Sequence, residues 1–300
     1  MVSILIPTYQ RHEVLVRCIN SVLSQVTPEI ELIVVDDAST DGTREYLVGL
    51  AEKYPFVKLH FNAENKGTNY SRNQGIKLVS KKHVLFLDSD DMLYEGSIEK
   101  IMKTFQSYPD IKHYLFIVSD RAEEFAGEKT VRCITYRDWI STKVYGDFTH
   151  VVRTDLMKQN MFFEQYRTFE YLSWLRVKRA TTPQLLVPIV TTWRERGRED
   201  SVTATSKLGS LKAIKANFDA EKFYYGYYHD DLKVYYPKAL NVNLLRTIIL
   251  GVASDEKKDS RGLIKYSNRA YVKVLGGLIT LLPVSLVRKL VMSYSASKTT

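Results

Sequence analysis

Val84-Leu85-Phe86-Leu87 is an apolar run that stops on Asp88-Ser89-Asp90-Asp91. Four large apolar residues closed by a polar turn read as a strand buried on both faces, as in sheets covered by helices on either side. The same pattern recurs toward the N-terminus. Apolar segments at 2–7, 30–35 and 57–61 read as strands, and 113–118 follows the quoted run as another. Between them, residues 12–25, 43–54, 68–78 and 96–108 carry apolar side chains at helical spacing. Strands alternating with helices of this length predict βαβ crossovers and an α/β fold with a mostly parallel central sheet. Residues 120–200 are mixed, with a helix expected near 170–179, and residues 201–300 are mainly helical. The organisation expected is an α/β body in two parts, 1–110 and 111–200, and a basic C-terminal region at 201–300.

In an open parallel sheet, ligands bind outside the carboxyl ends of the strands. Two of those ends are acidic: Asp36-Asp37 after the second strand, and Asp88, Asp90 and Asp91 after the quoted run. Single acids in a turn cap helices or face water. A second cluster directly behind a buried strand asks for more, because neighbouring carboxylates repel unless a cation sits between them. Such oxygen ligands suit Mg²⁺ or Mn²⁺, which also bind diphosphates. The pattern points to a nucleotide–metal site.

These acids fall within a longer set of segments. They are Ser3-Ile4-Leu5-Ile6-Pro7-Thr8-Tyr9-Gln10, Ser21-Val22-Leu23-Ser24-Gln25, Asp36-Asp37-Ala38-Ser39-Thr40-Asp41-Gly42-Thr43, Asn65-Lys66-Gly67 with Ser71-Arg72-Asn73-Gln74-Gly75, and Asp88-Ser89-Asp90-Asp91. In order and spacing the set resembles family 2 glycosyltransferases, closely over residues 1–100 and more loosely over 140–200. The resemblance implies a GT-A fold (a Rossmann-like sheet flanked by helices) and inverting transfer of a sugar from a nucleotide-diphosphate donor, aided by Mn²⁺ or Mg²⁺. It places Pro7, Thr8, Tyr9, Asp37, Asp41, Gly67, Arg72, Asn73, Asp88, Ser89 and Asp90 on the donor side. Asp90 and Asp91 become the metal ligands. Asp37 offers an acceptor to a uracil-type N–H, which favours a UDP-sugar, and Arg72 offers a guanidinium fork to a diphosphate or to neighbouring carboxylates.

An inverting displacement also needs a base for the acceptor hydroxyl. In the family it is the second acid of a Glu-Asp pair before an aromatic-Leu-Arg segment. Here Phe169-Glu170-Tyr171-Leu172-Ser173-Trp174-Leu175-Arg176 matches, so Glu170 takes the base position and Phe169 replaces the first acid. Gly146, Asp147 and Trp174 fall on the acceptor side. A second departure lies at 193–201, which lacks the His many relatives place there; Arg196 and Arg198 are expected to hold diphosphate instead, or to line a solvated charged loop. These departures keep open a sugar-nucleotide-binding protein without turnover.

Charge narrows the partners. The chain of 300 residues has a formal charge of +9, yet residues 1–200 balance 27 basic against 27 acidic side chains, and the surplus lies in 201–300. Residues 257–300 carry nine basic residues and one acid. Within them, 274–287 is uncharged and flanked by Lys265, Arg269, Lys273, Arg288 and Lys289. That stretch is short of the roughly 20 apolar residues of a spanning helix and contains Pro283. It suits a helix lying in the surface of an anionic membrane, or one packed on the protein's own core. The tyrosines at 224–228 fit a headgroup level, a sugar-stacking surface or a helical core. A nucleic-acid-binding protein would show a recognisable module, and none is present. A nucleotidyltransferase would carry a Gly-rich, Arg-containing loop after the first strand, and Pro7-Thr8-Tyr9-Gln10-Arg11 is not one. The N-terminus lacks a basic leader and a cleavage site, and two cysteines make no disulfide framework. The expectation is a peripheral enzyme at the cytoplasmic face of a membrane, acting on a lipid-linked saccharide in cell-surface polysaccharide, lipopolysaccharide or glycoprotein glycan assembly.

Overall fold

A computed structural model describes residues 1–195 and 208–297. By internal contacts the chain forms two units, 1–139 with 144–197, and 140–143 with 198–300.

In the first unit the strands β1 (Val2–Thr8), β2 (Ile30–Asp36), β3 (Val57–Phe61) and β4 (His83–Phe86) run parallel in the order β3-β2-β1-β4. Every residue of β1, β2 and β4 is buried. The pleat sends Ile4 and Ile6 to one face and Leu5 to the other, and both faces are covered. The helix α1 (His12–Leu23) lays Leu15, Cys18, Ile19 and Val22, one stripe at helical spacing, on the Ile4 and Ile6 side. On the Leu5 side, α3 (Thr68–Leu78) approaches β1 so closely that a Cβ on Gly75 would lie 2.0 Å from Leu5 Cδ1. The helix α2 (Thr43–Lys53) completes the crossover between β2 and β3.

Beyond β4 the sheet changes character. The strand β5 (Met92–Leu93) is followed by α4 (Ser97–Ser107), β6 (His113–Val118), β7 (Arg132–Ile134) and α5 (Tyr136–Ile140). Then come β8 (Thr149–Arg153), α6 (Thr154–Gln159), α7 (Tyr171–Ala180) and β9 (Gln184–Trp193). The strand β8 inserts antiparallel between β4 and β6, and β5 and β7 both pair antiparallel with β9. Parallel pairing therefore describes β1–β4 and the β6–β9 pair, while the rest is mixed. The α/β fold of GT-A type expected from the sequence is present, but the sheet is mixed rather than mostly parallel, because β8, β5 and β7 all enter it antiparallel. The mixed half carries little period in its sequence because its strands are short or, in β9, irregular in register.

The second unit is helical. Ile214 and Phe218 of the helix Leu211–Tyr227 pack with the helix Val242–Ala253, whose Leu244, Ile248 and Val252 are fully buried. Of the tyrosine-rich run, Tyr225 and Tyr228 are core side chains, and the Tyr225 hydroxyl donates to the Ala239 carbonyl at 3.1 Å. Among the described residues no single helix is long and apolar enough to cross a membrane. The helices Ala270–Leu281 and Val284–Ser297 meet at a sharp bend of 108°, where Pro283 denies the next turn its N–H.

Candidate active site

The carboxyl ends of β1, β2 and β4 open side by side, since Thr8 is in register with Asp36 and Leu5 with Phe86. The chain leaving β2 is anchored by Asp37, whose N–H donates to the Thr8 carbonyl at 2.9 Å. Its buried carboxylate accepts from Asn62 Nδ2 at 2.7 Å, from the Lys66 N–H at 3.0 Å and from the Gly67 N–H at 2.6 Å. Gly67 holds a left-handed φ of +89°, which glycine tolerates without a Cβ penalty, and this turn brings its N–H to Asp37. Asp41 acts locally at the start of α2, accepting from the His12 N–H at 3.0 Å and from the Thr43 hydroxyl at 2.6 Å. Pro7 and Thr8 lie buried in β1, and Thr8 Oγ1 has no hydrogen-bond partner among the described residues. Tyr9, the next residue, is exposed.

Arg72 joins the two halves of the site. Its side chain, 5% exposed on α3, gives one guanidinium nitrogen to Asp88 at 2.8 Å and the other to Glu170. The two carboxylates stay 41% and 44% exposed, so the arm is buried while its partners reach solvent. The neighbouring Asn73 turns the other way and is fully engaged: Nδ2 donates to the Phe162 carbonyl and to Glu164, and Oδ1 accepts the Phe162 N–H at 2.7 Å. Glu170 sits at the start of α7, and its carbonyl accepts from the Trp174 N–H at 2.9 Å.

The acidic turn after β4 is gathered by arginines. Asp90 pairs with Arg11, and Asp91 lies 3.6 Å from Arg194, which also holds Asp147 at 2.9 Å. Burial works to raise the Asp88 carboxyl, but Arg72, followed by Arg194, holds it below the ordinary carboxylate range. Asp90 and Asp91 are pushed up instead, first by burial and then by the Asp88 charge. Burial and the Asp88 charge thus disfavour the anionic form of Asp90 and Asp91, and a cation beside them would favour it. Among the described residues no three His, Cys, Asp or Glu side chains converge to hold a metal ion by themselves. Two carboxylates do fit a hard cation that completes its shell with water and phosphate oxygens.

The remaining expected residues scatter in role. Ser89 is buried in the acidic turn. Gly146 has φ +82°, and its neighbour Asp147 is exposed toward Arg194. Trp174, expected to face an acceptor, is a core side chain: its ring stacks on His150 at 3.9 Å and meets Phe86 and Phe162 edge-on. The pattern of an aromatic in the first turns of α7 serves packing, because that face of the helix lies on the sheet. Arg196 and Arg198 lie outside the described residues. Arg11 and Arg194 join the site although sequence reasoning does not single them out. Each is a basic residue within three positions of a strand's last residue, and that is the signal by which they could be found.

Residues 3–149 match the family described as Glycosyl transferase family 2. Among curated proteins, the chain is 28% identical over 181 residues to the GalNAc(5)-diNAcBac-PP-undecaprenol beta-1,3-glucosyltransferase of Campylobacter jejuni, covering 58% of this chain and 59% of the relative. An uncharacterized glycosyltransferase of Nostoc sp. is 35% identical over 222 residues, with 72% and 62% covered. The chain thus spans less than two thirds of the length of these relatives. Among solved structures, Staphylococcus aureus TarS 1–349 in complex with UDP-GlcNAc superposes with a TM-score of 0.63 at 16% identity, covering 99% of this chain and 92% of that one. The mannosyltransferase PcManGT of Pyrobaculum calidifontis, in complex with GDP-Man and Mn²⁺, gives 0.56 at 13% identity, with 99% and 86% covered. At these identities the likeness speaks for the fold.

Proposed function

The chain belongs to glycosyl transferase family 2 through its residues 3–149, and from that premise we propose that it transfers a sugar, with inversion, from a nucleotide-diphosphate donor to a hydroxyl of a lipid-linked saccharide. The observation that carries the reading is Arg72, a buried guanidinium that ties the acidic turn at Asp88 to the carboxylate of Glu170. A donor side and an acceptor side meet there at one cation.

In the reaction proposed, the acceptor oxygen forms a bond to the anomeric carbon as the bond to the donor diphosphate breaks. The hydroxyl proton passes to Glu170, and the nucleoside diphosphate leaves with the bonding electrons. Glu170 suits this role because its carboxylate is exposed on one side and oriented by Arg72 on the other. Asp90 and Asp91 would hold Mn²⁺ or Mg²⁺, which supplies positive charge to the departing diphosphate. Arg11 and Arg194, already at those carboxylates, stand within the same charge cluster. Asp37 and Thr8 stand at the ends of adjacent strands where a base would lie, Asp37 holding the loop and Thr8 Oγ1 without a partner among the described residues, and UDP is the favoured nucleotide. The lipid-linked acceptor is supported by the Campylobacter relative, whose name specifies a PP-undecaprenol saccharide. The basic surplus of residues 201–300 supports work at the anionic cytoplasmic face of a membrane.

A thermal-shift screen of UDP-, GDP- and dTDP-sugars with and without Mn²⁺ tests the donor side. A UDP-sugar should stabilise the protein most, and Asp90→Ala should abolish the Mn²⁺-dependent part. Glu170→Gln should retain donor binding and lose transfer by about 10²–10⁴-fold, the usual worth of a general base. Transfer at the parent rate in Glu170→Gln would remove Glu170 from the role.

A further inference from the structure

The helix Ala270–Leu281 is built inside out. The face it buries carries Val272, Gly276 and Thr280, small or polar side chains. Gly276 lets the helix come close, since a Cβ there would lie 3.0 Å from Ile248 Cδ1. The face turned away from the unit's core carries Val274, Leu275, Leu278 and Leu281, with Val274 62% and Leu281 67% exposed. These positions recur at three and four residues, so they form one stripe rather than scattered apolar residues. Past the 108° bend the helix Val284–Ser297 repeats the arrangement: Val287 and Val291 are buried while Leu286 and Leu290 face out. A water-facing helix would be expected to reverse this, with leucine inside and polar residues outside.

Around the stripe the charge is of one sign. Lys265, Arg269 and Lys273 lead into it and Lys289 follows it, all exposed, and residues 260–297 contain no acid. An apolar stripe with a basic collar matches the acyl boundary and headgroups of an anionic leaflet, layer for layer. A second copy of the chain would place like charges against each other, which disfavours self-association through this face. The bend and the length of each arm, 12 and 14 residues, suit lying in one leaflet rather than crossing two.

We infer that the outward faces of these two helices form a monotopic docking surface for an anionic lipid leaflet, with Val274, Leu278, Leu281, Leu286 and Leu290 entering the acyl boundary and the lysines and arginines at phosphate level. The inference rests on the proposed reading in that a lipid-linked acceptor gives the surface its purpose, and it extends that reading by naming the residues that bind.

Flotation of the full chain with phosphatidylcholine vesicles, with and without 30 mol% phosphatidylglycerol as a working choice (about one anionic headgroup in three), tests it. The parent should float with the anionic vesicles, weakly with neutral ones, and less as salt rises. Leu278→Glu with Leu281→Glu should lose binding at least about 100-fold, because two fully inserted leucines are each worth about tenfold or more. Lys273→Ala should weaken it by about fivefold, the worth of one basic residue near an anionic surface. Both changes lie on exposed positions, so the thermal melt should be unaltered. In Leu278→Trp the indole should be quenched by lipids brominated near the glycerol end of the chain more than by those brominated near the methyl end. A parent that stays unbound at low salt overturns the inference, as does a dimer that the paired Glu variant splits. Donor binding and hydrolysis, measured without lipid, report on the catalytic reading alone, so the failure of one is distinguishable from that of the other.

Discussion

Glu31 lies at the far end of the sheet from the candidate site, and its replacement by glutamine isolates what holds the central strands together. It belongs to β2, pairs across to Ser3 of β1, and reaches the segment that enters β4. Its carboxylate accepts from the Ser3 hydroxyl, from the Ser80 N–H at 2.7 Å and the Ser80 hydroxyl at 2.6 Å, and pairs with Lys58 at 2.8 Å. Burial alone would raise this carboxyl, but Lys58, then Ser3 and Ser80, lower it from 4.5 to about 2. A carboxyl with that difference between unfolded and folded chain contributes about 3 kcal/mol of pH-dependent stability. The contribution is complete above the unfolded value near 4.5 and disappears as pH falls through the folded value near 2. Glu31→Gln keeps the shape and one acceptor oxygen but turns an amide donor toward a hydroxyl and an ammonium. It should cost about 2–3 kcal/mol at pH 7, or roughly 5–10 °C in Tm for a unit of this size. Urea melts of parent and variant at a series of pH values measure it. The two curves should converge toward pH 2, while donor binding by the folded variant stays at the parent level. A variant as stable as the parent at pH 7, or a gap between the two that does not narrow on acidification, would refute the reasoning.

Other outcomes follow from the same packing. Gly75→Ala should destabilise by about 1–3 kcal/mol, because the added methyl meets Leu5 at 2.0 Å between α3 and β1 and one of them must move; a melt at the parent temperature would contradict this. His113 and His150, hydrogen-bonded to each other at 2.9 Å, are held well below the ordinary histidine range by burial and then by Lys178. Each is neutral when folded, so stability should decline as pH drops below about 6.5, by up to about 1.4 kcal/mol per pH unit for each ring. Proton uptake on unfolding at pH 5.5, measured by calorimetry in buffers of different ionisation heat (about two protons from this pair at the most), should fall in His150→Phe.

What could be read from the sequence follows the range over which each feature is encoded. The strands β1 to β4 announce themselves because each is a short apolar run closed by a polar turn, and the helices between them carry a stripe of matching period. The strands β5 and β7 have two and three residues, too few to carry any period, and exist because β9 supplies their hydrogen bonds from about 50 to 100 residues away. The helix α7 was legible as a helix, but not which way Trp174 points, since a tryptophan next to a polar cleft and one stacked on a buried histidine look alike in one dimension.

The candidate site divides along the same line. Its acids stand out locally, as clusters behind apolar runs, but the meaning of a carboxylate depends on its partner. Asp41 closes a helix start, Asp37 locks a loop, and Asp88 meets an arginine sixteen residues earlier that also reaches Glu170 ninety-eight residues from itself. Electrostatics sorts these roles where spacing cannot. Asp37 and Asp41 are held by N–H and hydroxyl donors of the protein, whereas Asp90 and Asp91 are raised first by burial and then by the Asp88 charge, even with Arg11 and Arg194 beside them. A divalent cation arriving with a diphosphate would be held by the acids and repelled by the guanidinium groups, while the diphosphate would be repelled by the acids and drawn to the cation and the guanidinium groups. Donor and cation should therefore bind together and each weakly alone, an asymmetry that follows from setting three arginines against the three aspartates of one turn.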